Sequence, residues 1–149
     1  YNKISNFEKH ICLFYISDNK NLNIVLTDMK KNLSKEKNKF KSLKEMTDLV
    51  DPFIDNLKKE NFKIMGEILN TNWILKKELS NKISNDKIDQ IYKTGINAGA
   101  YGGKLLGSGG GGFMLFLCSP EKQNKLNKAL QKHPRLKINI DFNGLKRFI

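Results

Sequence analysis

The chain has 149 residues, a formal net charge of +12, and 39% hydrophobic and 28% charged residues. This balance is typical of one globular domain and excludes collagen-like and wholly disordered chains. No apolar run approaches the roughly 20 residues needed to span a bilayer, so we expect no membrane partner.

The first predicted element is a buried strand over residues 11–16, a continuous run of apolar, β-branched and aromatic side chains. Residues 20–33 are polar with scattered apolar positions, and we expect a loop and a short helix there. From about Ser34, apolar residues recur at steps of three and four, which predicts a long amphipathic helix. Pro52 interrupts this helix, either as a kink or as the start of a new helix capped by Asp51.

Two more helices follow, each with apolar residues along one face. They are predicted over residues 61–79 and 85–97, with Ser84 or Asn85 as the N-cap of the second. The glycine-rich segment after them leads into residues 113–118, whose apolar side chains predict a second buried strand.

The last part of the chain is predicted to add one helix and two strands. Ser119-Pro120 is typical of a helix start, and the helix is expected to run to about Lys132. Residues 136–140 alternate between apolar and polar side chains, as a half-exposed strand does. Asn143-Gly144 then turns the chain into a short last strand over residues 145–149. The whole order predicts an α+β domain in which helices cover one face of a small, largely antiparallel sheet.

The two cysteines carry little functional information. Cys12 and Cys118 each lie within an apolar run, without a second cysteine or a histidine at metal-binding spacing. We therefore expect both to be buried, reduced thiols, which is consistent with a cytoplasmic location.

Function is best sought in a cluster of glycines, because eight of the 11 glycines fall within residues 99–112. The cluster is not a Walker loop, since Leu follows the Gly103-Lys104 pair where Ser or Thr is required. Gly107, Gly109 and Gly112 have the letters of a dinucleotide fingerprint. Here, however, the helix precedes the loop and the strand follows it, which is the reverse of that fold.

Successive glycines have a simpler physical meaning. They allow positive φ and remove every Cβ, so backbone N–H groups can converge on an anion or another backbone can approach closely. A flexible connector would not contain Leu105 and Leu106 or run directly into a buried strand. Lys104 either adds a cation beside such an anion site or is one more surface lysine.

Residues 98–112 read Ala-Gly-Ala-Tyr-Gly-Gly-Lys-Leu-Leu-Gly-Ser-Gly-Gly-Gly-Gly and resemble the third conserved motif of the GHMP small-molecule kinases. That motif is roughly A-x-G-A-x-G-x-K-L-x-G-A-G-x-G-G, so Ser108 stands where Ala is usual. The resemblance is strong over residues 61–149 and looser over 1–60. Three flanking segments are similar to the branch of this family that acts on a heptose 7-phosphate: residues 65–69, 73–77 and 79–89.

The resemblance implies that residues 1–149 are the C-terminal domain of such a kinase, with a ferredoxin-like sheet. Family members transfer the γ-phosphoryl group of Mg-ATP to a hydroxyl of a small metabolite, in this branch the anomeric hydroxyl of a sugar phosphate. ATP and Mg²⁺ are therefore the expected cofactors, and a small sugar phosphate is the expected substrate. The loop expected to lie against the nucleotide phosphates comprises Gly107, Ser108, Gly109, Gly110, Gly111 and Gly112, with Lys104 beside it.

The resemblance also implies a partner that this sequence does not contain. The family's principal ATP loop, of the type Pro-x-x-x-Gly-Leu-Gly-Ser-Ser, is absent, as is the N-terminal kinase domain that supplies the catalytic acid and the Mg²⁺ ligand. The start at Tyr1, without Met or signal-peptide features, likewise leads us to expect a piece of a longer protein. We assign no catalytic or metal-ligating residue and expect this chain alone to be inactive.

An alternative from another class is a non-catalytic binding module for nucleic acid or a protein partner, with a kinase-like fold. The net charge of +12 motivates this alternative. However, all of the 27 basic residues except Arg135 and Arg147 are lysines, among many Asn and Ile residues, which indicates AT-rich codon usage. A nucleic-acid surface more often uses Arg, whose planar fork binds phosphate with two bonds, together with stacking aromatic side chains. Nucleic acid is therefore not the expected partner.

Overall fold

The computed structural model describes residues 2–17 and 22–141. Within these two ranges the chain forms seven helices and four strands, in the order α1 (Asn2–His10), β1 (Ile11–Ser17), α2 (Leu22–Lys35), α3 (Lys37–Asp48), α4 (Val50–Lys58), α5 (Phe62–Glu78), α6 (Asp86–Asn97), β2 (Gly102–Leu105), β3 (Gly112–Leu117), α7 (Pro120–Ala129) and β4 (Arg135–Leu136). None of these helices combines the length and apolar character that crossing a bilayer requires.

The four strands form one sheet in the order β2-β3-β1-β4, and every neighbouring pair is antiparallel. Helices separate β1 from β2 and β3 from β4, whereas β2 and β3 form a hairpin. This connectivity is the split βαβ arrangement of ferredoxin-like folds. It confirms the predicted α+β class and the antiparallel sheet.

One face of the sheet carries the main core. Alternate residues of a strand point to the same face, and Cys12 and Phe14 of β1 lie opposite Phe116 and Met114 of β3 in the register. All four are buried, and they pack with apolar side chains of α6 and α7 and with the fully buried Trp73 of α5. Helices therefore cover this face, as predicted.

A smaller apolar cluster occupies part of the other face. It is built on Ile11, Leu117 and Met65, and partly buried side chains of α1 and α4 pack around these three residues. Phe7 of α1 is one of them, and its ring lies 6.1 Å from that of Phe53 in α4. Because α5 contributes Met65 to this cluster and Trp73 to the main core, it spans the edge of the sheet beside β2.

Both cysteines are buried free thiols, as predicted. Burial raises the pKa of the Cys12 thiol to about 11. A thiol with so high a pKa carries little thiolate at neutral pH, and thiolate is the reactive form. The structure therefore gives neither cysteine the environment of a nucleophile.

The structure corrects the predicted helices before residue 60. Residues 2–10 form a helix that the sequence did not indicate, and 22–35 is one continuous helix rather than a loop and a short helix. The long helix breaks at Leu49, which is the N-cap of α4, so Asp51 is not a cap. Pro52 lies in the first turn of α4, where its missing N–H costs no intrahelical hydrogen bond.

The later elements follow the predictions more closely. The Asn85 side chain caps α6 by accepting a hydrogen bond from the N–H of Ile88 at 3.0 Å. Helix α7 begins at Pro120, as predicted, but ends at Ala129. Of the alternating segment 136–140, only Leu136 pairs with β1, together with the preceding Arg135. The predicted turn at Asn143-Gly144 and the strand 145–149 lie outside the described residues.

Candidate functional site

The predicted phosphate loop lies at the turn of the β2–β3 hairpin. Strand β2 itself, inside the glycine-rich segment, was not predicted, because glycines give no alternating pattern of side chains. The hairpin is closed by the N–H of Leu106, which donates to the carbonyl oxygen of Phe113 at 2.8 Å. We call residues 107–112 the glycine loop. Its five glycines all have positive φ: Gly107 (75°), Gly109 (119°), Gly110 (77°), Gly111 (151°) and Gly112 (102°).

The two glycines of β2 serve packing. A Cβ on Gly102 would lie 1.8 Å from the carbonyl oxygen of Gly66 in α5. A Cβ on Gly103 would lie 2.3 Å from the carbonyl oxygen of Leu115 in β3. Both positions are required for β2 to fit between its neighbours. They are therefore no argument for a ligand.

Two glycines of the loop have a different environment. A Cβ on Gly107 or on Gly112 would meet nothing within 4 Å. Packing within the described chain therefore does not explain the absence of a side chain at these two positions. Gly109 differs, since its Cβ would lie 2.8 Å from the Cα of Ile83. The open positions are where another group could approach the backbone closely.

The segment between α5 and α6 holds the other side of the loop. The N–H of Gly110 donates to the carbonyl oxygen of Ile83 at 2.8 Å. That N–H is therefore occupied within the chain, and the predicted convergence of donors on an anion does not include it in this conformation. The hydroxyl of Ser108 lies 3.5 Å from the carbonyl oxygen of Gly109. The contact of Ile83 with the loop was not predicted from the sequence.

Lys76 of α5 lies directly beneath the loop and was not predicted as a site residue. The residue is 7% exposed, and its ammonium group donates to the carbonyl oxygens of Leu105 at 3.2 Å and Gly107 at 2.5 Å. The available signal was its spacing, since Lys76 lies three residues after the buried Trp73 and so on the same side of the helix. A helical lysine is ordinarily solvated, so composition alone did not distinguish it.

Lys104 extends from β2 and is half-buried rather than one more surface lysine. Its ammonium group donates to the side-chain oxygen of Asn72 in α5. Burial lowers the pKa of Lys104. Burial, and secondarily the charge of Lys104, lower the pKa of Lys76 from 10.5 to about 8. Two lysines therefore lie in a poorly solvated region at the base of the loop.

The remaining chemistry of the site is limited. Among the described residues, no group of three or more His, Cys, Asp or Glu side chains is placed to hold a metal ion. The site thus offers a backbone turn with open Cβ positions and two lysine ammonium groups. This combination is suited to binding an anionic group.

Comparison with known proteins also points to a phosphate-binding protein family. The family model described as GHMP kinases C terminal matches residues 53–136. The D-glycero-alpha-D-manno-heptose 7-phosphate kinase of Campylobacter jejuni is 46% identical over 72 residues, which are 48% of this chain and 21% of that protein. The mevalonate kinase of Thermococcus sibiricus is 29% identical in an alignment 107 residues long, which covers 61% of this chain and 31% of that protein.

A solved structure of mevalonate kinase from Methanococcus jannaschii aligns with a TM-score of 0.69 and 29% identity, over 92% of this chain and 43% of that one. The chain thus matches less than a third of the length of the two curated relatives and less than half of the solved kinase. The family match covers more than half of the chain and includes the β2–β3 hairpin with its glycine loop. The chain belongs to the C-terminal domain family of the GHMP kinases.

Proposed function

We propose that this chain, residues 1–149, is the C-terminal domain of a sugar kinase that transfers the γ-phosphoryl group of ATP to the anomeric hydroxyl of a heptose 7-phosphate. The sugar is preferred over mevalonate because the heptose-phosphate kinase relative is 46% identical, against 29%, 31% and 40% for three mevalonate kinases. The rest of the protein, an N-terminal kinase domain, is proposed to supply the catalytic acid and the principal ATP loop.

The observation that carries this proposal is the glycine loop together with two poorly solvated lysines, Lys76 and Lys104. Phosphoryl transfer depends mostly on positioning and on stabilisation of negative charge, so it needs few covalent participants from the protein. The open positions at Gly107 and Gly112 let phosphate oxygens approach the backbone. Lys76 and Lys104 add positive charge at the base of the same turn. The loop and Lys104 are the nucleotide-facing residues of this proposal.

Mg²⁺ is proposed as a cofactor with ATP, where it would neutralise charge on the β- and γ-phosphates. The described residues of this chain do not converge as carboxylate ligands. We therefore assign no Mg²⁺ ligand and no catalytic acid here. What these residues do is hold the phosphates and orient them.

The lysine-rich helices give no support to the binding-module alternative. In α3, Lys41 and Lys44 are paired with acidic residues one turn away, Glu45 and Asp48. Lys39 is likewise paired with Glu36 at the start of that helix. The pairs of Lys41 and Lys44 are exposed on the helix surface, as expected of solvated lysines, and Lys39 is half-buried.

The test is an assay of phosphoryl transfer from ATP, with heptose 7-phosphate and mevalonate as competing acceptors. We expect the complete natural protein that contains this chain to phosphorylate the heptose, and residues 1–149 alone to show no transfer. A preference for mevalonate would show that the proposed acceptor is wrong. Transfer by residues 1–149 alone would show that the proposed division of labour between two domains is wrong.

A further inference from the structure

Lys76 is placed to control the shape of the glycine loop. Its ammonium group is bonded to two carbonyl oxygens at the start of the loop, those of Leu105 and Gly107, which lie on either side of Leu106. In a trans peptide unit the C=O and the N–H point in opposite directions. By holding the Gly107 carbonyl inward, Lys76 turns the N–H of Ser108 away from the protein interior. The lysine therefore fixes the orientation of the first peptide of the loop.

Within residues 2–17 and 22–141, the charge of Lys76 also has no carboxylate counterion. Lys77 and Lys82, which are more exposed, are paired with Asp89 and Asp28, each at 3.1 Å. Among the described residues, no carboxylate forms an ion pair with Lys76 or Lys104. Their hydrogen bonds go to carbonyl and amide oxygens instead.

Such an arrangement costs folding free energy, because a buried cation without a carboxylate partner is only partly compensated by neutral oxygens. The Lys76 ammonium group lies against the loop that is open at Gly107 and Gly112, and the Lys104 ammonium group, bound to Asn72 of α5, is near enough for its charge to act on Lys76. An anion bound on the loop would supply the missing negative charge. The cost in the unbound protein thereby becomes a source of affinity for a polyphosphate.

We propose that Lys76 is a positioning residue that holds the glycine loop in the conformation that receives the nucleotide phosphates, and that its charge, with that of Lys104, adds to the attraction for them. This inference rests on the proposed function, because it takes ATP as the ligand of the loop. Lys76 acts through the backbone and does not itself contact the nucleotide.

The test compares three variants of the complete natural protein: Lys76→Met, Lys76→Arg and the control Lys77→Met. Lys77 is the neighbouring helical lysine, but its partner is Asp89 and not the loop. We expect Lys76→Met to raise the KM for ATP about tenfold, since hydrogen bonds from a charged donor are stronger than neutral ones. The KM for the sugar acceptor should change less than about twofold, and Lys76→Arg should recover most of the affinity for ATP.

A purely structural role would give a different pattern. If Lys76→Met merely reduced the amount of folded protein, kcat would fall and the KM for ATP would stay at the value of Lys77→Met. That outcome would overturn the inference. If Lys76→Met does not fold, Lys76→Gln takes its place, because glutamine keeps an N–H donor without the charge. Its KM for ATP should lie above that of Lys76→Arg, and an equal KM would contradict the charge contribution.

A second measurement separates this inference from the proposed function. Amide hydrogen exchange of residues 105–108 needs neither nucleotide nor acceptor, and we expect it to be faster in Lys76→Met than in Lys77→Met. If the parent protein phosphorylates no acceptor, the proposed function fails, while faster exchange still shows that Lys76 holds the loop. If the parent is active but the two variants exchange equally and share one KM for ATP, the inference about Lys76 fails alone.

Discussion

The glycines of β2 and those of the glycine loop follow one another in the same motif, yet they are glycines for different reasons. Gly102 and Gly103 are set against the backbones of α5 and β3, where a Cβ would lie 1.8 and 2.3 Å from carbonyl oxygens. Gly107 and Gly112 face open space and have positive φ. Gly102 and Gly103 thus let helix and strand approach each other, whereas Gly107 and Gly112 leave open space beside the backbone.

The largest effect is expected at the packed half. Gly102→Ala places a Cβ 1.8 Å from the backbone oxygen of Gly66, so α5 and β2 must separate. We expect the free energy of unfolding to fall by about 3 kcal/mol, as in other overpacked cores. The measurement is chemical denaturation of the parent protein and the variant. Gly107→Ala is the matched control, and its left-handed backbone should cost only about 1 kcal/mol. Equal losses in the two variants would remove the distinction between the two halves.

A smaller effect, on a different quantity, is expected at the open half. Gly107→Asn adds a side chain where a Cβ meets nothing within 4 Å, and Asn tolerates the φ of 75° better than other residues do. We expect stability to change by less than about 0.5 kcal/mol. The KM for ATP should rise about tenfold, equivalent to about 1.4 kcal/mol, because the side chain occupies the approach of the phosphates. An unchanged KM with normal folding would mean that the open position faces solvent and not the nucleotide.

The site could be predicted from the sequence only where the relevant signal is local. The glycine spacing identified the loop residues, since consecutive glycines are rare and specific. It did not separate Gly102 from Gly107, because the difference lies in their contacts with Gly66 and with open space. Lys76 and Ile83 were missed for the same reason, as each reaches the loop from a distant position in the sequence.

The fold, like the site, was predicted where the sequence signal is local and missed where it depends on distant contacts. Strands β1 and β3 were predicted because each is a short apolar run buried on one face or both. Helix α1 was not predicted, because its sequence is mostly polar and its stability depends on Phe7, which packs against Phe53 and Phe62. Such tertiary contacts override weak local helix propensity. They could not be predicted from the pattern of side chains within residues 2–10.

The smallest expected effect is a dependence of the KM for ATP on pH. It tests whether the charge of Lys76 beneath the glycine loop contributes to ATP binding. Burial, and secondarily the charge of Lys104, lower the pKa of Lys76 to about 8. Between pH 7.5 and 8.5 the protonated fraction of such a group falls about threefold. We expect the KM for ATP to rise about threefold over this range in the parent protein and to stay flat in Lys76→Arg, whose guanidinium remains charged.

The sign of this effect separates it from unfolding. Between the folded pKa of about 8 and the ordinary value of 10.5, the unfolded chain binds more protons at Lys76 than the folded chain does. The contribution of this lysine to the free energy of unfolding therefore rises with pH, while the affinity of the loop for ATP falls. Parallel measurements of KM and of thermal unfolding across the range would show the two trends diverging. If the KM for ATP rose equally in Lys76→Arg, the pH dependence would come from another group. The proposed contribution of the Lys76 charge to ATP binding would then be wrong.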